Sequence, residues 1–161
     1  MIIEAYKDEY QDGIIQLIVG IQRSEFNLDI TADDQPDLMN IHNFYVTGKG
    51  NFWVAVDNDQ VVGTISLLDI GDDTVALRKM FVAESHRGKD KGVANQLLTT
   101  AFDWAEANQL KAIYLGTTSK FLAAHRFYEK NGFSEIMKSA LPERFPMMAV
   151  DTKFYKRECS E

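Results

Sequence analysis

MFVAESHRGKDKGVANQLL, residues 80–98, joins an apolar run to an amphipathic one through a turn that holds Arg87, Lys89 and Lys91. From Val93 the apolar residues fall at 93, 94, 97, 98, 101, 102 and 105, one face of a helix running to about Asn108. Before the turn, TVALRKMFV (74–82) reads as a strand; after the helix, KAIYLGTT (111–118) reads as a second, buried one. Strand, helix, strand is a βαβ unit, so these two strands should run parallel. Upstream, NFWVAVDNDQVVGTISLLDI (51–70) looks like two strands joined at Asp57-Asn58-Asp59-Gln60, and Gly71-Asp72-Asp73 turns the second into TVALRKMFV. An antiparallel meander followed by a βαβ unit predicts an α/β fold with one mixed sheet of about seven strands and helices on both faces.

The flanks fill in the rest. IIEAY (2–6) reads as a strand, and Ile14, Ile15, Leu17, Ile18 and Ile21 give residues 8–23 helical spacing. Residues 24–38 read as a loop and 37–45 as a short helix. FLAAHRFYEKNGF (121–133) is a helix closed by Gly132 at its C′ position, and residues 133–139 and 146–156 are the last two strand candidates. A chain of 161 residues reads as one domain over 1–161, large enough to bury roughly two-thirds of its unfolded surface.

With 45% hydrophobic and 25% charged residues and a net charge of -7, the composition is that of a soluble globular protein. No apolar run approaches the ~20 residues of a membrane span, and MIIEAYKDEY lacks the basic start and apolar core of a signal peptide. The single cysteine, Cys159, cannot form an internal disulfide; it reads as a frayed-tail thiol and fits a reducing cytoplasm. The acidic balance argues against a nucleic-acid partner, which needs a broad basic face.

The turn HRGKDKG (86–92) carries a local charge of +2 on this acidic chain and opens a helix. Helix N-termini present unpaired N–H groups and partial positive charge, and glycines let backbone approach a ligand closely, so the place suits a phosphate or pyrophosphate. A solvated loop is the plainer alternative. A P-loop is excluded, because Gly88 to Gly92 is one residue too short and Val93 follows; the dinucleotide fingerprint G-x-G-x-x-G is absent.

Two segments together resemble the GNAT superfamily of N-acetyltransferases. Residues 80–98 are similar to its R/Q-x-x-G-x-G/A loop, and Ala124, Tyr128, Gly132 and Phe133 to its A-x-x-x-Y-x-x-x-G-F helix end. The resemblance implies acetyl-CoA as co-substrate, an amine acceptor that is a small molecule or peptide, and often a homodimer; no His/Cys/Asp cluster has metal-ligand spacing, so transfer without a metal is expected. The resemblance also implies that Arg87, Gly88, Lys89, Asp90, Lys91, Gly92 and Val93 hold the coenzyme's pyrophosphate. Met80, Phe81 and Val82 would pair with its pantetheine arm in a slot opened where the strand 111–118 splays away, and Thr117, Ala124, Phe127 and Tyr128 would line it. Two positions depart from the pattern. Asp90 replaces a glycine, at a position expected to favour positive φ with the side chain facing water; Phe121 replaces an asparagine.

Acetyl transfer to an amine needs a base, because an alkyl ammonium of pKa ~10.4 is free amine at roughly one part in a few thousand at pH 7. It also needs an acid for the leaving thiolate. Tyr128 is the expected acid, against the alternative of plain packing, and Glu25 in the loop after the first helix is the expected base through water. Acceptor contacts are expected from Glu25, Phe26, Asp33, Asp34, residues 139–146, and one of Arg78 and Lys79, which strand alternation would point to opposite sides. A cation there suits a carboxylate-bearing acceptor, and the acidic loops suit a polyamine or lysine side chain; the sequence leaves both open. The same fold could instead serve as a non-catalytic coenzyme-binding module, or carry a longer acyl group.

Overall fold

The structure, a computed structural model, describes residues 1–119 and 122–159. Its strands are β1 (Ile2–Ala5), β2 (Asn51–Asp57), β3 (Gln60–Gly71), β4 (Thr74–Val82), β5 (Ala112–Thr117), β6 (Ser134–Ile136) and β7 (Lys153–Glu158). They form one sheet in the order β1-β2-β3-β4-β5-β7-β6, antiparallel except for β4 against β5. The helices are α1 (Gln11–Ser24), α2 (Pro36–Met39), α3 (Ile41–Tyr45), α4 (Val93–Ala107) and α5 (Leu122–Lys130).

The meander is set by turn chemistry. Asn58 (φ 51°) and Asp59 (φ 62°) form a two-residue left-handed link between β2 and β3, and Asp72 (φ 55°) and Asp73 (φ 60°) do the same between β3 and β4. Asn and Asp tolerate this region better than other side chains, and its twist suits a tight hairpin. The sheet then buries two faces. On one, Ile14 and Ile18 of α1 pack with Leu38, Ile41 and Tyr45 against Phe52, Val54 and Val56 of β2. On the other, Val93, Leu97, Leu98, Ala101 and Ala105 of α4 cover Trp53, Ala55, Ile65 and Leu67. Phe127 and Tyr128 of α5 pack against this second cluster.

Three elements differ from expectation. Residues 37–45 are two short helices, broken at Asn40, whose extended φ of -150° interrupts the spiral. The last strand starts only at Lys153, because residues 148–151 fold into a turn. There the N–H of Met148 donates to Asp151 Oδ2 (3.1 Å) and the N–H of Asp151 to the Met148 carbonyl (3.0 Å). Cys159 is docked rather than frayed: its N–H donates to the Lys111 carbonyl at 2.8 Å and its side chain packs on the α4-side core.

β4 contains the irregularity that matters most. Ser66 of β3 stands opposite Arg78 and Thr64 opposite Phe81, so Lys79 and Met80 together face the single residue Ile65. This is a β-bulge, with Lys79 in the left-handed region at φ 54°. The hydroxyls of Thr64 and Ser66, both buried, donate to the carbonyls of Lys79 (2.7 Å) and Arg78 (2.6 Å) and fix the distorted backbone.

Candidate active site

The parallel pair β4–β5 holds for only three rungs, from Thr74 opposite Ala112 to Ala76 opposite Tyr114. β5 continues to Thr117 paired with β7 on its far side, so the two parallel strands part and leave a V between them. A cavity of about 360 Å³ fills the opening, walled by Leu77 through Phe81 of β4, Leu115 to Thr118, Tyr128, Gln22, Phe26, Leu28 and Asp151. A second of about 180 Å³ lies beyond the same stretch of β4 and adds Phe145, Pro146 and Met148. Of the residues expected from sequence to touch the coenzyme, Met80, Phe81, Thr117 and Tyr128 meet in the first cavity; Val82, residues 87–93, Ala124 and Phe127 do not line it. Phe121 lies outside the described residues.

The bulge overrides strand alternation. Arg78 and Lys79 both line both cavities, instead of pointing to opposite sides of the sheet. The Lys79 ammonium is buried, 2.7 Å from Gln35 Oε1 and 3.6 Å from Asp37 Oδ2. Asp37, also buried, accepts in addition from the Tyr45 hydroxyl at 2.5 Å. Burial lowers the Lys79 pKa from its ordinary value, against the opposing pull of Asp37. Gln22 and Gln35 exchange amide hydrogen bonds at 3.1 and 2.8 Å and complete a buried polar network that reaches the cavity wall at Gln22 and Lys79.

Tyr128 is positioned by the end of its own helix. Gly132, at φ 92°, lets the chain reverse, so that the Phe133 N–H donates to the Tyr128 carbonyl (3.1 Å) and the Gly132 N–H to the Glu129 carbonyl (3.3 Å). This double bond pattern is a Schellman cap, and the contact that accompanies it is Phe133 packed edge-on against the Tyr128 ring at 5.6 Å. The spacing Y-x-x-x-G-F is therefore a device for holding one tyrosine. Its ring also meets Phe127 and Tyr155, and burial alone, with no hydrogen bond to another described residue, acts on its hydroxyl. Burial pushes its pKa up to about 12, so it stays protonated through the neutral range. His125, one turn earlier, is buried, with Nε2 2.8 Å from the Thr118 carbonyl oxygen; it serves packing.

At the far end of β4, the turn into α4 holds its two left-handed positions at Gly88 (φ 106°) and Gly92 (φ 68°), the latter capping the helix. Asp90 is not left-handed, so the expected reason for tolerating it is wrong; it carries no backbone strain, and its side chain is exposed. Lys89 and Lys91 are exposed as well. A cation the sequence reading missed joins them: Lys130 at the end of α5 lies close enough to Lys89 for the two ammonium groups to lower its pKa. Only the fold brings these residues together, 41 positions apart in sequence.

Glu25 is not in the cavity lining. Its two oxygens meet both terminal nitrogens of Arg87 at 2.7 and 2.8 Å, and Arg87 Nε donates to the Val82 carbonyl at 2.8 Å. The guanidinium holds the Glu25 carboxyl below its ordinary range. A lowered carboxylate engaged on both oxygens is a poor proton acceptor, so this geometry makes Glu25 an anchor for Arg87 rather than a base. Asp33 and Asp34 likewise stay out of the cavity: Asp34 caps its own short turn through Thr31, and Phe26 alone of the early-loop candidates lines the wall. The carboxylate that does line it, Asp151, was hidden in the sequence by reading residues 146–156 as a strand.

A sheet that splits between β4 and β5, with a glycine-cornered basic turn at one end of the split and a capped tyrosine in its wall, fits the acyltransferase class. Residues 15–133 match the acetyltransferase (GNAT) family, and the chain belongs to it. A GNAT-family acetyltransferase of Staphylococcus aureus Mu50 is 40% identical, with a TM-score of 0.92 and 99% of each chain covered. An acetyltransferase of Streptococcus agalactiae is 32% identical at a TM-score of 0.91, covering 98% of this chain and 97% of that one. The N-acetylaspartate synthetase of Danio rerio is 40% identical over 102 residues, which are 62% of this chain and 36% of that protein. The chain thus spans about a third of that relative's length.

Proposed function

We propose that this acetyltransferase moves an acetyl group from acetyl-CoA to a primary amine by direct transfer, with Tyr128 as general acid. The observation that carries the reading is the position of Tyr128, in the wall of the cavity that opens where β4 leaves β5. The residues fit the coenzyme. From Leu77 onward the β5-facing edge of β4 has no strand partner among the described residues, which suits an extended arm adding to the sheet. The turn over residues 87–93 supplies first-turn N–H groups of α4, with Lys89, Lys91 and Lys130 as nearby cations for phosphates. Acetyl-CoA, when bound, supplies the thioester whose carbonyl carbon the amine attacks. Tyr128 donates its hydroxyl proton to the sulfur as the C–S bond breaks, then recovers one from the new amide nitrogen. Arg87, held by Glu25 and the Val82 carbonyl, stiffens the junction between strand and turn.

Titration of acetyl-CoA by calorimetry, followed by thiol release across an amine panel, tests the reading. Binding with turnover supports it, absence of binding sinks it, and binding without turnover on any amine would favour a non-catalytic module. Asp90→Gly should tighten acetyl-CoA binding only about two- to fivefold, the worth of one exposed like charge near a polyanion. A far larger gain would mean that Asp90 distorts the turn.

A further inference from the structure

Among the described residues lining the two cavities, Arg78, Lys79 and Asp151 are the charged ones. Lys79 is engaged by Asp37 and Gln35. Arg78 is not so balanced. Its guanidinium lies over the rings of Phe44 (5.8 Å) and Tyr45 (6.0 Å), with Nη2 3.8 Å from Met148 Sδ, and no carboxylate among the described residues pairs with it. Cation–π contact with two rings holds the guanidinium in place and leaves N–H groups for an anion.

Asp151 is the opposite charge. Its carboxylate is half-buried against β5, where a Cβ on Gly116 would stand 2.6 Å from Oδ2; only a residue without a side chain leaves that space. Its one hydrogen bond among the described residues is from the Met148 N–H, and it too has no ion pair. Burial raises its pKa above the ordinary carboxylate range, with Arg78 pulling the other way. The charged or titratable groups that share its cavities are Arg78, Lys79 and Tyr128.

A cation and an anion that share a cavity without pairing are the complement of one small molecule bearing both an ammonium and a carboxylate. We infer that the acceptor is a free amino acid or a close relative, its carboxylate held by Arg78 and its ammonium by Asp151, which takes the proton. This rests on the acetyl-transfer reading above. One ammonium proton passes to Asp151, the freed lone pair forms the C–N bond, and the C–S bond breaks. Tyr128 protonates the departing sulfur and regains the second nitrogen proton, so one proton remains on Asp151 for release to water. A polyamine or lysine side chain fits less well, because Arg78 would face a like charge and the acidic residues Asp33 and Asp34 do not reach the cavity.

The test uses the CoA-bound protein and a panel of the common amino acids, their carboxamides and the matching decarboxylated amines. Calorimetry should show at least one amino acid binding about 10- to 100-fold more tightly than its carboxamide. Arg78→Met should erase that preference with coenzyme affinity unchanged, and Arg78→Lys should restore part of it. Asp151→Asn should lower kcat about 100-fold or more in a protein of unchanged Tm. Carboxamides or amines that bind and react as well as the acids would overturn the proposal, as would a preference that survives Arg78→Met; an unchanged kcat in Asp151→Asn would remove the base. Failure of coenzyme A itself to bind would instead overturn the acetyl-transfer reading.

Discussion

Tyr128→Phe should lower kcat by about 10²–10⁴ while leaving acetyl-CoA affinity within about twofold. The substitution removes one oxygen on which burial acts alone, with no hydrogen bond to another described residue, so no fold contact is lost with it. The ring contacts with Phe127, Phe133 and Tyr155, and the cap formed on the Tyr128 carbonyl, remain. The effect should therefore fall on the chemical step, which loses its proton donor for the leaving sulfur. A general acid works below its own pKa, and here burial sets that at about 12. The wild-type kcat should accordingly show no decline between pH 9 and 10, where an ordinary tyrosine would start to ionise. An unchanged kcat in the variant, measured by thiol release with saturating amine, would return Tyr128 to a packing role.

Asp37→Ala should cost about 3–5 kcal/mol of stability, the largest effect expected from any single truncation near the site. Asp37 and Lys79 expose only 7% and 8% of their side chains, so solvent cannot replace the lost partner. The variant leaves the Lys79 ammonium buried without its counterion and deprives the Tyr45 hydroxyl of its acceptor. In a chain of this size the loss corresponds to a fall in Tm of roughly 10 °C. Adding Lys79→Met removes the stranded charge and should recover most of it, because replacing both members of a buried pair by apolar groups is often nearly neutral. Urea unfolding of the two variants measures both quantities. A cost below about 1 kcal/mol for Asp37→Ala would mean that water reaches Lys79.

The framework of this molecule was legible because it rests on local signals. Two-residue Asn/Asp turns, period-2 strands and the 3.6-residue spacing from Val93 act within a few positions of one another, and β4 (Thr74–Val82) carries the bounds expected of it. The slot and Tyr128 followed from motif resemblance, and the Schellman geometry supplies the physical reason for that motif. What was not legible depends on long-range placement. The bulge at Lys79 arises from how β3 and β4 register, with Thr64 and Ser66 holding the carbonyls, and no property of the word LRKMF announces it. Alternation therefore misdirected Arg78 and Lys79. Asp151 was lost for the opposite reason: its flanks read as strand, while its carboxylate makes a turn. Glu25 was taken for a base because its partner, Arg87, lies 62 positions away.

The strand order has a consequence for how the protein comes into being. β7 lies between β5 and β6, although both precede it in the chain. During synthesis the meander β2–β3–β4 can assemble as soon as it emerges, since each strand pairs with its immediate neighbour. β5 and β6 must wait for residues 153–158, and until then each presents a bare edge to other nascent chains. Asp151, two residues ahead of that strand, takes its place only when β7 docks. The cavity that Asp151 lines is thus the last part of the molecule to close, and a ribosome-stalled chain lacking those residues would carry a finished meander and an open cavity.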